Sequence, residues 1–176
     1  MTKIVVVYLS TSGNTKAMAD AIAEGIMSRN VSVMTMNFHE ARIEEIKVAD
    51  AIAIGSSTFY YKMLPPMEKF IDSLEKANVA DKLGVAFGSY GWSGEAPIDI
   101  AERMRRLGMN VIDPVLRIQY QPTEKDLDEC KRLGKDLANK VKKGTEKGTE
   151  KHAKQESGSK LEAASVQEIK MGEGGH

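Results

Sequence analysis

A run of six small or polar residues follows the first apolar segment, and its residue types are suited to binding an anion. The run is Ser10-Thr11-Ser12-Gly13-Asn14-Thr15, and a helical pattern begins directly after it. Backbone N–H groups at a helix start have no partner inside the helix, and the helix dipole places partial positive charge there. Hydroxyl groups add donors, and Gly13 has no Cβ to keep an anion at a distance. The run therefore predicts a phosphate-binding loop built from dipoles.

The composition of this loop separates it from two other kinds of polar loop. It contains no Lys or Arg, so the Gly-Lys-Ser/Thr ending of nucleoside-triphosphate loops is absent. An ordinary turn that caps the helix with Ser12 or Asn14 is the alternative, but a cap needs only one such residue. We expect the phosphate to be held by Ser10, Thr11, Ser12, Asn14 and Thr15, with Gly13 giving access.

Apolar runs of strand length alternate with helical patterns, and this alternation indicates how the loop is positioned. The runs cover residues 3–9, 31–36, 50–55, 84–88 and 110–120, the last interrupted by Pro114. The inner runs are continuously apolar, which is typical of parallel strands buried on both faces. Thr123 and Asp126 form a capping pair for the last helix, which we expect to end near Val141. The sequence thus predicts an α/β domain with a doubly wound, five-stranded parallel sheet over residues 1–142.

Two more loops of unusual composition follow predicted strands. The second loop covers residues 55–61 (GSSTFYY) and the third covers residues 88–95 (GSYGWSGE). Together they contain five of the ten aromatic residues in the chain. Aromatic side chains in loops expose apolar surface unless something covers them. Ligands of open parallel sheets bind beyond the carboxyl ends of the strands, so a flat aromatic ligand with one phosphate would explain all three loops.

Local packing of these aromatic side chains over the sheet is the alternative. For Phe59 taken alone, packing is the favoured interpretation. Trp92 is different, because Gly91, Ser93 and Gly94 leave the backbone around it free to lie against a ring. We therefore expect Trp92 to stack on the ligand.

The three loops resemble those of the flavodoxin family. Residues 10–15 resemble the family's FMN phosphate loop, and residues 55–58 resemble its second flavin loop. Residues 87–96 are especially similar to the flavodoxin-like domain of flavo-diiron proteins. The resemblance covers residues 3–141 and implies a short-chain flavodoxin-like sheet with strand order 2-1-3-4-5. It also implies FMN as the cofactor, bound at the carboxyl edge of the sheet.

The resemblance further implies which residues contact FMN and what the protein does. Low-potential electron transfer to and from redox partner proteins is the expected function, with no catalytic residue and no metal. A monomer or weak homodimer is expected. The ribityl chain and ring are expected to be bordered by Ser57, Thr58, Phe59 and Tyr60. The other ring face is expected to be covered by Ser89, Tyr90, Gly91, Trp92, Ser93 and Gly94.

The sequence departs from the related proteins in three respects. It offers no counterpart of the metal-binding domain of flavo-diiron proteins. Residues 1–142 carry nineteen basic and nineteen acidic side chains, so the acidic docking face common in flavodoxins is not expected. Ser57 stands where related domains commonly have proline, and no glycine follows Gly55 in the second loop, which we expect to restrict a backbone flip beside the ring.

A low reduction potential follows from two properties of the expected site. Enclosure of the ring by Trp92 and the second loop would keep water away and disfavour added negative charge. A phosphate held without a neutralising Lys or Arg would act in the same direction.

Two other functions remain open. An FMN-dependent NAD(P)H:quinone reductase would need room for a substrate over the ring, and a non-redox module would hold no cofactor.

Bulk properties exclude several further classes. Cys130 is the only cysteine and lies on an apolar helical face, which argues against a disulfide, a cysteine metal cluster or a nucleophile. His39, His152 and His176 are widely separated, so no metal site is indicated. No basic stripe indicates nucleic acid, no apolar run is long enough to span a membrane, and a cytoplasmic location is expected. Residues 143–176 form a second, low-complexity segment that we expect to be a disordered tail.

Overall fold

The computed structural model describes the backbone of residues 3–171 and the side chains of residues 3–160. Contacts divide the chain into two units, Met1–Val141 and Lys142–His176. The first unit contains every strand of the described residues and residues 124–141 of the final helix, whose remaining residues belong to the second unit. The candidate site described below lies within this unit.

The described elements alternate between strands and helices. Strands are β1 (Ile4–Leu9), β2 (Val33–Asn37), β3 (Ala51–Ser56), β4 (Thr58–Phe59), β5 (Lys62–Met63), β6 (Leu83–Tyr90), β7 (Asn110–Val111) and β8 (Leu116–Gln119). Helices are α1 (Asn14–Met27), α2 (Ile43–Val48), α3 (Pro65–Ser73), a 3-10 turn (Leu74–Ala77), α4 (Glu95–Arg106) and α5 (Glu124–Met171).

The main sheet is parallel and has the order β2-β1-β3-β6-β7, and β8 also pairs with β6. The strands β7 and β8 pair in parallel with successive parts of β6, and Pro114 lies between them. Counted as one interrupted strand, they give the predicted order 2-1-3-4-5. The predicted fold class is therefore confirmed. The carboxyl ends of β1, β3, β6 and β8 meet at one edge of the sheet.

Both faces of the sheet are covered. All six residues of β1 are buried, and they divide between two hydrophobic clusters: Val5 and Val7 belong to one, Ile4 and Val6 to the other. Successive side chains of a strand point to opposite faces, so each cluster packs on its own face of the sheet. This explains why the sequence shows unbroken apolar runs rather than alternation.

Close approach of β3 and β6 holds two of the loops together. A Cβ built on Gly88 would lie 2.1 Å from the carbonyl oxygen of Ser56, so only glycine fits at this position. Because Ser56 ends β3 and Gly88 lies near the end of β6, the loops after these strands start side by side. Packing of the strands thus sets the distance between the second and third loops.

Two local features differ from the sequence expectations, and a third agrees with them. Helix α2 was not expected in the connection through Ile43 and Ile46, and only Ile46 of this six-residue helix is buried. The second loop contains the antiparallel pair β4 and β5, which the sequence did not indicate. The final helix begins with the predicted Thr123 and Asp126 pair, whose side chains each accept the other residue's backbone N–H.

The predicted end of the last helix near Val141 is wrong, because α5 continues to Met171. The structure gives residues 143–171 a helical backbone, and residues 172–176 lie outside the described residues. The assignment of residues 143–176 as a separate low-complexity tail stays a prediction. Every side chain from 142 to 160 is exposed.

Candidate functional site

The amino end of α1 is open toward the carboxyl edge of the sheet. Gly13 adopts the left-handed conformation with φ +88°, which favours glycine, and no side chain caps the helix. Ser10 Oγ accepts the N–H of Gly13 at 3.1 Å, which closes the loop on itself. The alternative of a simple cap by Ser12 or Asn14 is therefore not realised. The N–H groups of the first turn have no partner inside the helix and remain available to an anion.

The nearest cation in sequence is engaged elsewhere. The ammonium of Lys16 lies 2.6 Å from the carboxylate of Asp20, one turn along α1. This hydrogen bond raises the pKa of Lys16 above its ordinary value. An anion at the start of α1 would consequently meet backbone and hydroxyl dipoles, as the sequence predicts.

A polar cavity of about 180 Å³ opens beside this helix start. Its walls come from all three predicted loops and from the end of β8, and none of the lining side chains carries a formal charge. The lining residues are Thr11, Ser12, Asn14, Ser57, Thr58, Ser89, Tyr90, Gly91 and Tyr120. Its hydroxyl and backbone groups suit a phosphate and a polyhydroxyl chain.

An aromatic cavity of about 350 Å³ is lined by the second and third loops. Tyr60 and Tyr61 stand on one loop and Trp92 on the other, with Thr58 and Ser93 completing the lining. Thr58 lines both cavities, so the polar and the aromatic cavity adjoin each other. Trp92 is 89% exposed and Tyr60 is 80% exposed, so these rings cover no part of the core.

The position of the two tyrosines depends on an unusual turn. Phe59 pairs with Lys62 in the β4–β5 hairpin, which leaves Tyr60 and Tyr61 as a two-residue turn. Both have positive φ, 46° and 63°, a conformation that two-residue hairpin turns require and that Asn and Gly usually provide. For tyrosine it costs backbone energy. The turn holds two large rings at the cavity wall at the expense of local strain.

Hydroxyl groups join the three loops to one another. Thr15 Oγ1 lies 3.2 Å from Ser57 Oγ and accepts the backbone N–H of Ser89 at 3.3 Å. Thr58 Oγ1 accepts the N–H of Ala96 at 3.2 Å and so binds the second loop to the first turn of α4. These bonds make the cavity walls a single connected unit.

Most residues predicted for the site line one of the two cavities. Of the residues expected over the ring, Ser89, Tyr90 and Gly91 line the polar cavity, and Trp92 and Ser93 line the aromatic one. Neither cavity is lined by the predicted residues Ser10, Gly13, Thr15, Phe59 and Gly94.

Tyr120 and Tyr61 line the cavities but were absent from the predicted site residues. Tyr120 follows β8, has a positive φ of 60° and is hydrogen-bonded through its N–H to the carbonyl of Tyr90 at 2.7 Å. The available signal was its position: an aromatic residue at the carboxyl end of the fifth predicted strand, at the same sheet edge as the other loops. Tyr61 belongs to the second loop and could have been included with Tyr60.

The described residues contain no group of three or more His, Cys, Asp or Glu side chains placed to bind a metal ion, and His176 lies outside them. Within residues 3–171, no helix combines the length and the apolar character needed to cross a bilayer. Cys130 is fully buried, and burial raises the pKa of its thiol to about 12, which makes it a poor nucleophile.

Comparisons of the sequence and of the structure with known proteins both find flavodoxins. The family model for flavodoxins matches residues 6–134. A solved flavodoxin from the domain Archaea is 66% identical, with a TM-score of 0.79, over 80% of this chain and 99% of its own. The flavodoxin of Clostridium beijerinckii is 35% identical over 76% of this chain and 98% of its own length. The flavodiiron protein of Giardia intestinalis is 26% identical, with a TM-score of 0.77, over 82% of this chain and 37% of its own.

The relatives differ in how much of their own length this chain covers. The chain spans only 36%, 25% and 26% of the first three curated relatives that it matches. It spans almost the whole of the archaeal and clostridial flavodoxins.

Proposed function

The chain belongs to the flavodoxin family, whose members bind FMN, and we propose that its first unit is an FMN-binding electron carrier of low potential. The pair of adjoining cavities carries this proposal: a hydroxyl-lined one at the start of α1 and an aromatic one beyond Thr58. FMN has the matching order of parts, with a phosphate, a polyhydroxyl chain and a flat aromatic ring. The residues present therefore fit the cofactor.

Each part of FMN has its own set of residues in this proposal. The phosphate is held by first-turn N–H groups of α1 and by the hydroxyl or amide groups of Ser10, Thr11, Ser12, Asn14 and Thr15, with Gly13 shaping the loop. The ribityl chain runs along Ser57, Thr58, Ser89, Tyr90, Gly91 and Tyr120. The ring lies between the Tyr60–Tyr61 turn and Trp92, beside Ser93. Bound FMN would supply one- and two-electron redox chemistry, which amino-acid side chains do not provide.

The low potential follows from what this chain places around the two ends of the cofactor. No cationic side chain lines the polar cavity, and Lys16 is paired with Asp20, so the phosphate charge stays unneutralised. The rings of Tyr60, Tyr61 and Trp92 replace water along the aromatic cavity. Both effects raise the energy of additional negative charge at the ring.

We also propose that separate redox proteins dock where the aromatic cavity opens. The exposed rings of Tyr60 and Trp92 stand at this opening, so a partner bound there would come close to the bound ring. Acidic and basic side chains balance over residues 1–142, so complementary net charge does not dominate docking. We expect rates of electron exchange that depend weakly on salt.

Reductive titration tests the proposed function. Apoprotein is reconstituted with FMN and titrated with dithionite against a reference dye, and free FMN is titrated under the same conditions. A midpoint below that of free FMN is expected, and a midpoint equal to or above it would contradict the proposal. Steady-state oxidation of NAD(P)H with quinones separates carrier from reductase: negligible turnover is expected, and rapid turnover would favour the enzyme.

A further inference from the structure

Tyr120 is both exposed and strained, a combination that the stability of the fold does not explain. Its side chain is 64% exposed, so the ring contributes little to the core. Its φ is 60°, in the left-handed region that favours glycine, and a side chain at this φ costs backbone energy. Strain of this kind persists only where the surrounding structure holds it, and it is frequent at ligand sites. The conformation of Tyr120 therefore indicates a role in the site.

Hydrogen bonds on both sides of the residue hold this conformation. The N–H of Tyr120 donates to the carbonyl of Tyr90 at 2.7 Å, and the carbonyl of Tyr120 accepts from Ser89 Oγ at 3.4 Å. One residue earlier, the side-chain amide of Gln119 donates to the carbonyl of Gly91 at 3.1 Å. The end of β8 is thus fastened to the third loop, and the backbone from which the ring of Tyr120 projects is fixed.

The ring of Tyr120 lies beside Gly91, at the boundary between two cavities. A Cβ built on Gly91 would stand 3.7 Å from Tyr120 Cε1, which is ordinary van der Waals contact. Both residues line the polar cavity. Both also line a more open cavity of about 510 Å³, which Trp92 and Gln119 complete and which we name the outer cavity. Tyr120 therefore stands between the polar cavity and the outer cavity.

The chemistry of flavin nucleotides gives this boundary a consequence. FMN ends at its phosphate, which the polar cavity holds in the proposed function. FAD contains the same parts, but an adenylate is joined to that phosphate, so its second phosphate and its adenosine must extend out of the polar cavity. The outer cavity is adjoining space, and the exposed indole of Trp92 offers a surface on which adenine could stack. The ring of Tyr120 stands across this exit.

We propose that Tyr120 is a specificity-determining residue, whose ring closes the polar cavity behind the phosphate and excludes flavins that carry an adenylate there. The inference rests on the proposed function, since it concerns selection among ligands of the same site. Specificity of this kind comes from a clash with the wrong ligand and needs no added contact with the right one. Loss of the ring then admits FAD and changes the affinity for FMN much less.

Binding of FMN and FAD by matched variants tests this role. Dissociation constants for the two ligands are measured by calorimetry on the apoprotein of the full chain. The unaltered protein should bind FMN more tightly than FAD. In Tyr120→Ala the affinity for FAD relative to FMN should rise by about tenfold or more, because a clash is removed from one ligand alone. Tyr120→Phe keeps the ring and should keep the original ratio.

Two further variants complete the design. Tyr60→Ala also removes an exposed tyrosine, but Tyr60 lines the aromatic cavity and neither of the other two. FMN and FAD place the same ring there, so this change should weaken both and leave their affinity ratio within about twofold of the original. Tyr120→Gly removes the ring together with the left-handed strain, so its free energy of unfolding in urea should not fall below that of the unaltered protein. It should show the same rise in relative FAD affinity as Tyr120→Ala.

Several results would overturn the inference. Equal affinities for FMN and FAD in the unaltered protein would mean that Tyr120 excludes nothing. An unchanged ratio in Tyr120→Ala and Tyr120→Gly would place the selection elsewhere, and an equal rise in Tyr60→Ala would show that it is not specific to Tyr120. If neither Tyr120→Ala nor Tyr120→Gly folds, the residue serves the fold and the inference fails. Failure of the unaltered protein to bind FMN would instead refute the proposed function, so the two failures are distinguishable.

Discussion

Replacement of Trp92 by alanine should remove one wall of the aromatic cavity without disturbing the fold. Trp92 is 89% exposed, so its truncation leaves no cavity in the core. One face of an indole offers about 80 Å² of the 150–250 Å² that an aromatic side chain can bury, worth about 2 kcal/mol at about 25 cal/mol per Å². Stacking of bases on aromatic side chains gives a similar range, about 1–3 kcal/mol. FMN affinity should therefore fall by about thirtyfold.

Calorimetric titration of apoprotein with FMN measures this loss, and Trp92→Phe provides the matched control. Phenylalanine keeps a smaller ring, so its affinity should lie between those of the unaltered protein and Trp92→Ala. Urea denaturation of the three apoproteins should give the same free energy of unfolding. An FMN dissociation constant within twofold of the original in Trp92→Ala would refute the stacking role, and a large loss of stability would refute the account of Trp92 as a surface residue.

Three further predictions concern the framework of the site. Replacing Tyr60 and Tyr61 together by Asn and Gly should raise the apoprotein's free energy of unfolding by about 1–2 kcal/mol in urea denaturation, because the backbone strain of the turn is relieved. The same change should weaken FMN binding, because both rings are lost. An unchanged free energy of unfolding would contradict the strain. Gly88→Ala should markedly lower the midpoint temperature of thermal unfolding, because the new Cβ would meet the carbonyl oxygen of Ser56. A midpoint within about one degree of that of the unaltered protein would contradict this contact. The raised pKa of Cys130 means that the folded state resists thiolate formation, so the free energy of unfolding should fall from about pH 9 toward pH 12, by up to about 1.4 kcal/mol per pH unit. The fall should be less steep in Cys130→Ala, measured by urea denaturation at each pH. Equal slopes in the two proteins would contradict the burial of the thiol.

The sheet and its three loops could be predicted because strong local signals agree with the global fold. Continuous apolar runs mark the buried strands, and the six-residue loop at 10–15 marks the start of α1. The comparisons confirm the flavodoxin resemblance that these loops indicated. Clustering of aromatic residues in the second and third loops predicted the rings that line the aromatic cavity, although it did not separate that cavity from the polar one.

Features set by backbone geometry or by tertiary contacts were not predictable in the same way. The β4–β5 turn has no Asn or Gly to announce its positive φ values, which Tyr60 and Tyr61 adopt under constraint from the surrounding chain. Helix α2 has a single buried residue and therefore no periodic pattern. The burial of Thr15 follows from where β3 stops relative to β6, a property of the assembled sheet that the loop sequence does not contain.

The account depends most directly on capture of a phosphate by uncharged dipoles at the start of α1. Parallel calorimetric titrations of the apoprotein with FMN and with riboflavin isolate that contribution, because the two ligands differ only in the phosphate. Several charge-assisted hydrogen bonds should make FMN bind at least about a hundredfold more tightly. Equal dissociation constants for the two ligands would contradict the central claim.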